Sequence, residues 1–287
     1  MKRDLISIIN EHSSGFSKGQ RRIAQYIIEN YDKCAYMTAS KLGSLVDVSE
    51  STVVRFANEL GFEGYPEMQR AMQEFIRTKL TSFQRVEVTN NLIGDGDVLD
   101  KVLFSDIEKI KHTHDSIDRD SFNEAVDKII SAKHIYIIGV RSASTLAGFL
   151  NYNFRMIFDN VHFVQTTSGS EMFEQILKIS PEDVLIAISF PRYSKRIINA
   201  VEFAKSKGAD VIALTDTEQS PIAPEADQLL LAKSDMASFV DSLVAPLSIL
   251  NAIIVAVAKK KNESITERLR ELEQIWDEYD VYDKTQN

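Results

Sequence analysis

The spacing of apolar residues predicts a pair of short helices joined by a tight turn. Apolar side chains recur at helical spacing from Thr38 to Val46, and a second stripe contains Val53, Phe56, Ala57 and Leu60. Ser49 lies between the two stripes, where its hydroxyl can cap the second helix, and Asp47 can assist in the turn. The opposite, polar face of the second helix carries Ser51, Thr52, Arg55, Asn58 and Glu59.

Hydroxyl groups and one arginine at the exposed start of a helix suit the reading of bases in the major groove of DNA. We therefore predict a helix-turn-helix in which Ser51, Thr52 and Arg55 face base edges or adjacent phosphates. The same surface extends to Asn58, and the predicted contacts to the DNA backbone are Ser40, Lys41 and Ser49. An ordinary helical hairpin has a similar pattern, so the pattern by itself leaves that alternative open.

The sequence on either side predicts supporting helices and a linker. Two apolar stripes within residues 1–30 predict helices, the second starting at Ser17, and a longer helix begins near Pro66 and runs to about residue 80. Residues 81–97 have little periodicity and contain Gly94-Asp95-Gly96, which is typical of a linker. Two further helices are predicted near residues 98–116 and 121–132.

From His134 onward, short β-branched runs alternate with helical segments. Five strands are predicted, at residues 134–139, 161–164, 184–189, 210–215 and 228–231. Strands that are apolar on both faces and separated by helices predict a parallel sheet with helices on both sides. The predicted fold is therefore an all-α helix-turn-helix domain at residues 1–77, a linker at 78–97, and an α/β domain at 98–287 that ends in an amphipathic helix. Parallel sheets of this kind bind ligands at the carboxyl ends of their strands.

The formal net charge of −9 lies entirely in the second part of the chain. Residues 1–77 carry 10 Lys+Arg and 10 Asp+Glu, and the remaining 210 residues carry 23 and 32. A neutral DNA-binding domain should bind phosphates only modestly, so we expect two copies to share one palindromic operator. This predicts a homo-oligomer, a dimer or a tetramer, with the helices at 243–258 and 263–282 as candidate contacts between subunits.

Several classes of site and location are disfavoured by the sequence. The five histidines do not have the spacing of metal ligands, and no Walker loop is present, so we expect no metal and no cofactor. The longest apolar run, Leu243 to Ala258, contains Pro246, Ser248 and Asn251, which favours a buried or interface helix over a membrane span. A single cysteine and the lack of a signal-peptide pattern at the start lead us to expect a cytoplasmic protein.

Two groups of motifs resemble one family of bacterial transcription regulators. Residues 49–56 and 60–65 closely resemble the signature of the RpiR family, which joins a helix-turn-helix domain to a sugar isomerase (SIS) domain. Residues 122–258 resemble the SIS domain through Gly139 with Ala147, the loop at 189–194, and the segments 220–223 and 226–227. The resemblance implies a regulator whose operator binding responds to a small ligand, usually a sugar phosphate.

Two loops depart from the family pattern. Arg141 and Ala143 stand where the first loop usually has glycine and serine, and Pro191, Arg192 and Ser194 stand where the second usually has serine, glycine and threonine. Both loops lead into helix N-termini, which favour anions, and each gains a guanidinium group. We therefore predict an anion site formed by Arg141, Ser142, Ser144, Ser189, Arg192, Tyr193 and Ser194. Alternatively, the arginines pair with Glu171, Asp216 or Glu218, and Tyr193 covers the loop instead of stacking on a ligand.

A sugar-phosphate isomerase with an added helical domain is the alternative function. Isomerisation needs a base beside a carbonyl group, and Glu171 and Glu174 follow the second predicted strand. No acid–base pair stands beside the two loops in the sequence, and an isomerase has no use for a helix-turn-helix. We therefore predict a regulator and not an enzyme.

Overall fold

The computed structural model describes residues 5–79, 81, 83–86, 97–165, 168–235 and 240–282. Most of the predicted linker, 78–97, lies outside the described residues. The chain divides into two compact units. The helical unit comprises Met1–Val102 and Met236–Asp241, and the α/β unit comprises Leu103–Asp235 and Ser242–Asn287.

Six helices of the helical unit surround one apolar core. They are α1 (Leu5–His12), α2 (Lys18–Glu29), α3 (Tyr31–Cys34), α4 (Ala39–Leu45), α5 (Glu50–Glu59) and α6 (Tyr65–Lys79). Their starts follow local capping signals, because Ser17 forms a capping box with Gln20, and Thr38 and Ser49 cap α4 and α5 through their hydroxyls. The apolar stripe of α5 is buried as predicted, and the rings of Phe56 and Phe16 pack 5.2 Å apart.

A helix whose residues fall in both units leads into the sheet. Helix α7 (Val98–Ser116) is followed by α8 (Arg119–Ser131), β1 (Ile135–Gly139), α9 (Ala143–Arg155), β2 (Val161–Val164) and α10 (Gly169–Ile176). The remaining elements are β3 (Val184–Ile188), α11 (Lys195–Ser206), β4 (Asp210–Thr215), β5 (Gln228–Leu231), α12 (Val244–Lys260) and α13 (Asn262–Glu278). The strands form one parallel sheet in the order β2-β1-β3-β4-β5, which confirms the predicted sheet.

Apolar cores lie on both faces of this sheet. Helices α8, α9 and α12 cover one face, and α10 and α11 cover the other. The apolar run at 243–258 belongs to α12, which packs Ile249, Leu250 and Ile253 into the first core. Among the residues that the structure describes, no helix is long and apolar enough to cross a bilayer.

The strand order places the start of two loops side by side. After β1 the chain forms β2, which pairs with one edge of β1. It then forms β3, which pairs with the opposite edge of β1. Gly139, at the end of β1, is the register partner of Ile188, at the end of β3. The loops that follow β1 and β3 therefore leave the sheet together at a topological switch point, where parallel sheets bind ligands.

Candidate functional site

The turn between α4 and α5 is closed by a tight backbone approach. A Cβ atom on Gly43 would lie 2.8 Å from the carbonyl oxygen of Val48, so this position needs glycine. Asp47 takes a left-handed conformation with φ 52°, which Asp tolerates better than most residues. Its carboxylate and carbonyl oxygens accept hydrogen bonds from Arg22. Asp47 thus shapes the turn through its backbone, and the cap of α5 is provided by Ser49.

Polar groups collect at the exposed start of α5. The hydroxyl oxygen of Ser49 accepts a hydrogen bond from the amide of Thr52 and lies within 2.9 Å of the Ser51 hydroxyl. The guanidinium of Arg55 donates to the carbonyl oxygen of Ser51, 3.3 Å away, and remains exposed. Since helix N-termini attract anions and these side chains carry donors, the surface is suited to phosphates and base edges.

The other predicted DNA contacts lie on exposed positions around this surface. Ser40 and Lys41 are exposed in the first turn of α4, and Asn58 is exposed on α5. Glu59 also lies on the polar face of α5, but it contacts its own unit. Its carboxylate accepts a hydrogen bond from the side chain of Gln20 in α2. The polar face of α5 therefore divides into an open N-terminal part and a C-terminal end tied to its own unit.

In the α/β unit, the loop after β1 is shaped by two backbone constraints. A Cβ atom on Gly139 would lie 2.5 Å from the carbonyl oxygen of Ala143 and 3.0 Å from the Cβ of Ala147, so glycine lets α9 approach the strand. Arg141 has φ 57°, a left-handed conformation that glycine adopts without strain. The amide and hydroxyl of Ser144 both donate to the carbonyl oxygen of Arg141, at 3.1 and 2.6 Å. These bonds hold the strained residue while its side chain stays exposed.

The loop after β3 is tied to the neighbouring strand β4. The amide of Ser189 donates to the carbonyl oxygen of Leu214 at 3.1 Å, and the hydroxyl of Ser194 caps α11 by accepting from the amide of Arg196. The phenol group of Tyr193 donates to the carboxylate of Asp216 at 2.8 Å. This contact favours the interpretation that Tyr193 covers the loop over the interpretation that it stacks on a ligand.

The predicted ligand residues therefore form two groups. Arg141, Ser142 and Arg192 are exposed, whereas the hydroxyls of Ser144 and Ser194 make local bonds and Ser189 is buried. Among the described residues, no carboxylate lies within ion-pair distance of Arg141, which weakens the alternative of an internal ion pair for that side chain. The guanidinium groups and helix N-termini are the groups best placed to meet an anion.

At the amino ends of the strands lies a cluster of aromatic and charged side chains that no local sequence pattern predicted. The ring of His134 contacts the Asp183 carboxylate at 2.9 Å, and the rings of His162 and Tyr136 stack with centroids 4.8 Å apart. Burial by itself would raise the pKa of Asp183, but hydrogen bonds from Ser180 and His134 hold that pKa below its ordinary value. Burial lowers the pKa of His162, and nearby His134 lowers it further. The only signal for this cluster in the sequence is that Tyr136 and His162 occupy the same face of two neighbouring strands.

A polar groove of 610 Å³ runs along the edge strand β2, apart from the two loops. Its walls include Arg155, Asp159, His162, Gln175 and Arg268, and Arg268 pairs with Asp159 at 2.6 Å. In the described part of the chain, no three His, Cys, Asp or Glu side chains are grouped to hold a metal ion.

Both units match models of known protein families. Residues 3–79 match the helix-turn-helix domain of the rpiR family, and residues 128–256 match the SIS domain. The chain is 25% identical over 282 residues to an uncharacterized HTH-type transcriptional regulator of Caldanaerobacter subterraneus subsp. tengcongensis, covering 95% of this chain and 96% of that protein. It is 21% identical over 277 residues to the HTH-type transcriptional regulator HexR of Pseudomonas aeruginosa, covering 95% of each.

Solved structures show the same architecture. The Vibrio vulnificus NanR protein, complexed with ManNAc-6P, is similar with a TM-score of 0.58 and 22% identity over 95% of this chain and 97% of that chain. The sugar isomerase domain of an RpiR transcription factor from Sphaerobacter thermophilus gives a TM-score of 0.58 and 26% identity over 61% of this chain and 97% of that chain. The two matched domains define the class of HTH-type transcriptional regulators with an SIS domain. The chain belongs to the RpiR family within that class.

Proposed function

We propose that residues 1–77 bind a palindromic DNA operator and that residues 98–287 sense a small anionic compound which controls this binding. The proposed effector is a sugar phosphate or a related sugar acid. The observation that carries the proposal is the pair of loops after β1 and β3, which start from register partners and each carry an exposed arginine. Two guanidinium groups at a switch point can bind one phosphate or carboxylate with directed hydrogen bonds. The phosphosugar bound to the similar NanR protein supports this choice of ligand class.

The proposed DNA contacts come from the start of α5 and the start of α4. Ser51, Thr52 and Arg55 would meet base edges or nearby phosphates, and Ser40, Lys41, Ser49 and Asn58 would complete the surface. The evenly balanced charge of residues 1–77 supports the further proposal that the protein acts as a homodimer, with one half-site for each copy. We propose a cytoplasmic regulator, since its target is DNA.

We propose that the protein regulates transcription and does not catalyse isomerisation. The named relatives support this, because they are HTH-type transcriptional regulators that match the chain across both units. Isomerase activity is tested directly by incubating the purified protein with a panel of sugar phosphates. Conversion of any aldose phosphate to its ketose partner by the purified protein would favour the isomerase instead.

The ligand proposal is tested by titrating operator DNA with the protein, with and without sugar phosphates and sugar acids. For the original chain we expect one compound class to shift the operator dissociation constant. Arg192→Ala should abolish that shift and leave ligand-free affinity nearly unchanged, because Arg192 lies outside the DNA-reading surface. Arg270→Ala, which removes an exposed arginine from α13, is the matched control and should respond as the original does. An unchanged response of Arg192→Ala would refute the anion site.

A further inference from the structure

Strand β2 is an edge of the sheet, and its outer side lines the polar groove. On its inner side, the carbonyl oxygen of Asn160 accepts a hydrogen bond from the amide of Ile135 at 2.9 Å, and Ile135 is the register partner of Val161. Backbone groups along a strand point to its two sides in alternation. The amides and carbonyl groups of Val161, Phe163 and Gln165 therefore point away from β1.

The side chain of Gln175, on α10, shows that this outer side accepts an amide partner. The backbone amide of Gln165 donates to the Oε1 atom of Gln175 at 3.1 Å, and the Nε2 atom of Gln175 donates to the carbonyl oxygen of Gln165 at 3.3 Å. Neighbouring strands exchange donors and acceptors in the same way. Within the described part of the chain, no strand pairs with the outward groups of Val161 and Phe163, which line the groove.

The walls of the groove rise on both sides of this edge. Arg155 ends α9 and Gln175 lies on α10, and these two helices cover opposite faces of the sheet. Strand β2 contains four residues, so its open edge is about 13 Å long. A groove of 610 Å³ beside such an edge has room for a short extended peptide, added to the sheet as a further strand.

The charges of the groove favour an acidic occupant. The guanidinium of Arg268, on α13, is held by the carboxylate of Asp159 at 2.6 Å and by the carbonyl oxygen of Arg155 at 3.2 Å. Asp159 balances one of the two guanidinium groups, and the exposed side chain of Arg155 adds a second positive charge. The groove is therefore a positive site in the part of the chain that carries the whole net charge of −9.

We propose that this groove binds an extended acidic segment of a partner protein by strand addition to β2. The backbone of the segment bonds to the outward groups of Val161 and Phe163. Side chains of a strand alternate between its two sides, so carboxylates at every second position can all face Arg155 and Arg268. The groove lies apart from the loops after β1 and β3, and the proposal does not depend on the effector named above.

The first test titrates the full chain with the peptide acetyl-Val-Glu-Val-Glu-Val-amide by calorimetry. Two further peptides keep the same charges and carry N-methyl groups on one or the other set of alternate amides. One of them should bind roughly tenfold or more weakly, because only one set of amides can donate to β2. The other should bind as the unmethylated peptide does. Equal binding of all three peptides would show that no strand is added.

Hydrogen exchange locates the bound peptide on the original protein. The peptide should slow exchange in β2, because its carbonyl groups would accept from the outward amides of Val161 and Phe163. Strand β5 is the other edge of the sheet and provides the internal control, since its exchange should not change. Slowing at β5 alone, or no slowing at either edge, would overturn the proposal.

A charge reversal tests the preference for acidic segments. Arg155→Glu should weaken binding of the glutamate peptide severalfold and strengthen binding of acetyl-Val-Lys-Val-Lys-Val-amide. The Arg155 side chain is exposed, so the variant should fold, which circular dichroism verifies. Arg270→Glu, at an exposed position of α13, is the matched control and should leave both affinities unchanged. Equal effects of the two variants would refute the role of Arg155.

Other occupants of the groove give different results. Displacement of the peptide by an equal concentration of glutarate would show a site for a small anion. Dissociation of a protein oligomer by saturating peptide, seen by sedimentation velocity, would show that a second copy occupies the groove. Either result, or no binding at millimolar peptide, would overturn the proposal. The operator titration described above is unaffected by each of these outcomes, so the proposed function is tested separately.

Discussion

The phenol of Tyr193 donates a hydrogen bond to the carboxylate of Asp216 at 2.8 Å, and this contact ties the loop after β3 to the end of β4. Asp216 is buried, and the hydroxyl of Thr215 donates to the same carboxylate oxygen. Because buried carboxylates depend on their hydrogen bonds, this pair restrains the loop that carries Arg192.

Tyr193→Phe should lower the free energy of unfolding by about 1–2 kcal/mol, because it removes one hydrogen bond to a buried charged group. Urea unfolding measures this effect. The same variant should also weaken the response to the effector, since the loop of the proposed anion site loses its restraint. Tyr152→Phe is the matched control, because Tyr152 lies on α9 with its side chain largely exposed. Equal effects of the two substitutions would show that the contact with Asp216 contributes little.

Arg141 allows backbone strain and charge to be separated. Arg141→Gly should raise the free energy of unfolding by roughly 0.5–1 kcal/mol, because glycine relieves the left-handed strain and loses part of that gain to unfolded-state entropy. Arg141→Ala keeps the strained conformation and should not be stabilising. Both substitutions remove the guanidinium and should weaken the effector response. A stabilised Arg141→Gly protein with a full response would show that this arginine is not a ligand contact.

These loops illustrate what the sequence could and could not predict. The strands, the cap at Ser49 and the glycine at Gly139 depend on local signals, and the structure confirms them. The departure at Arg141 was visible as a change of charge, but its positive φ was not, because φ depends on how α9 leaves the strand. The hydrogen bond between Tyr193 and Asp216 also required the strand order, which no local pattern contains.

Contacts between residues far apart in the chain could not be predicted from the sequence, because they also depend on the strand order. His134 and His162 are far apart in the chain and meet only because β1 and β2 are neighbours. Residues 98–116 were correctly predicted to be helical, and an amphipathic helix ordinarily buries its apolar face. The polar edge of α7 is buried instead, since Lys233 and Ser242 offer hydrogen-bond partners there.

The proposed DNA-binding surface at the start of α5 predicts a specific loss for one arginine. Arg55→Ala should weaken operator binding by about 1–3 kcal/mol if the side chain reads a base, and it should affect nonspecific DNA less. Fluorescence anisotropy with operator and unrelated DNA at one salt concentration measures both values. Arg70→Ala, an exposed arginine on α6, is the matched control and should change neither. Equal losses on both DNAs would make Arg55 a phosphate contact, and no loss on either would discredit it.

The histidine cluster predicts how stability depends on pH. The pKa of His162 is lowered in the folded protein, so the folded state binds fewer protons than the unfolded state near the ordinary histidine pKa. Stability should therefore fall as the pH drops from about 7 to 5, across the ordinary histidine pKa of about 6.5. His162→Gln cannot take up this proton and should flatten that fall. His112→Gln, on the exposed surface of α7, is the control and should keep the original pH dependence. Urea unfolding at the two pH values measures the free energy of unfolding. If it fell as much for His162→Gln as for the original chain, His162 would not be the source of the pH dependence.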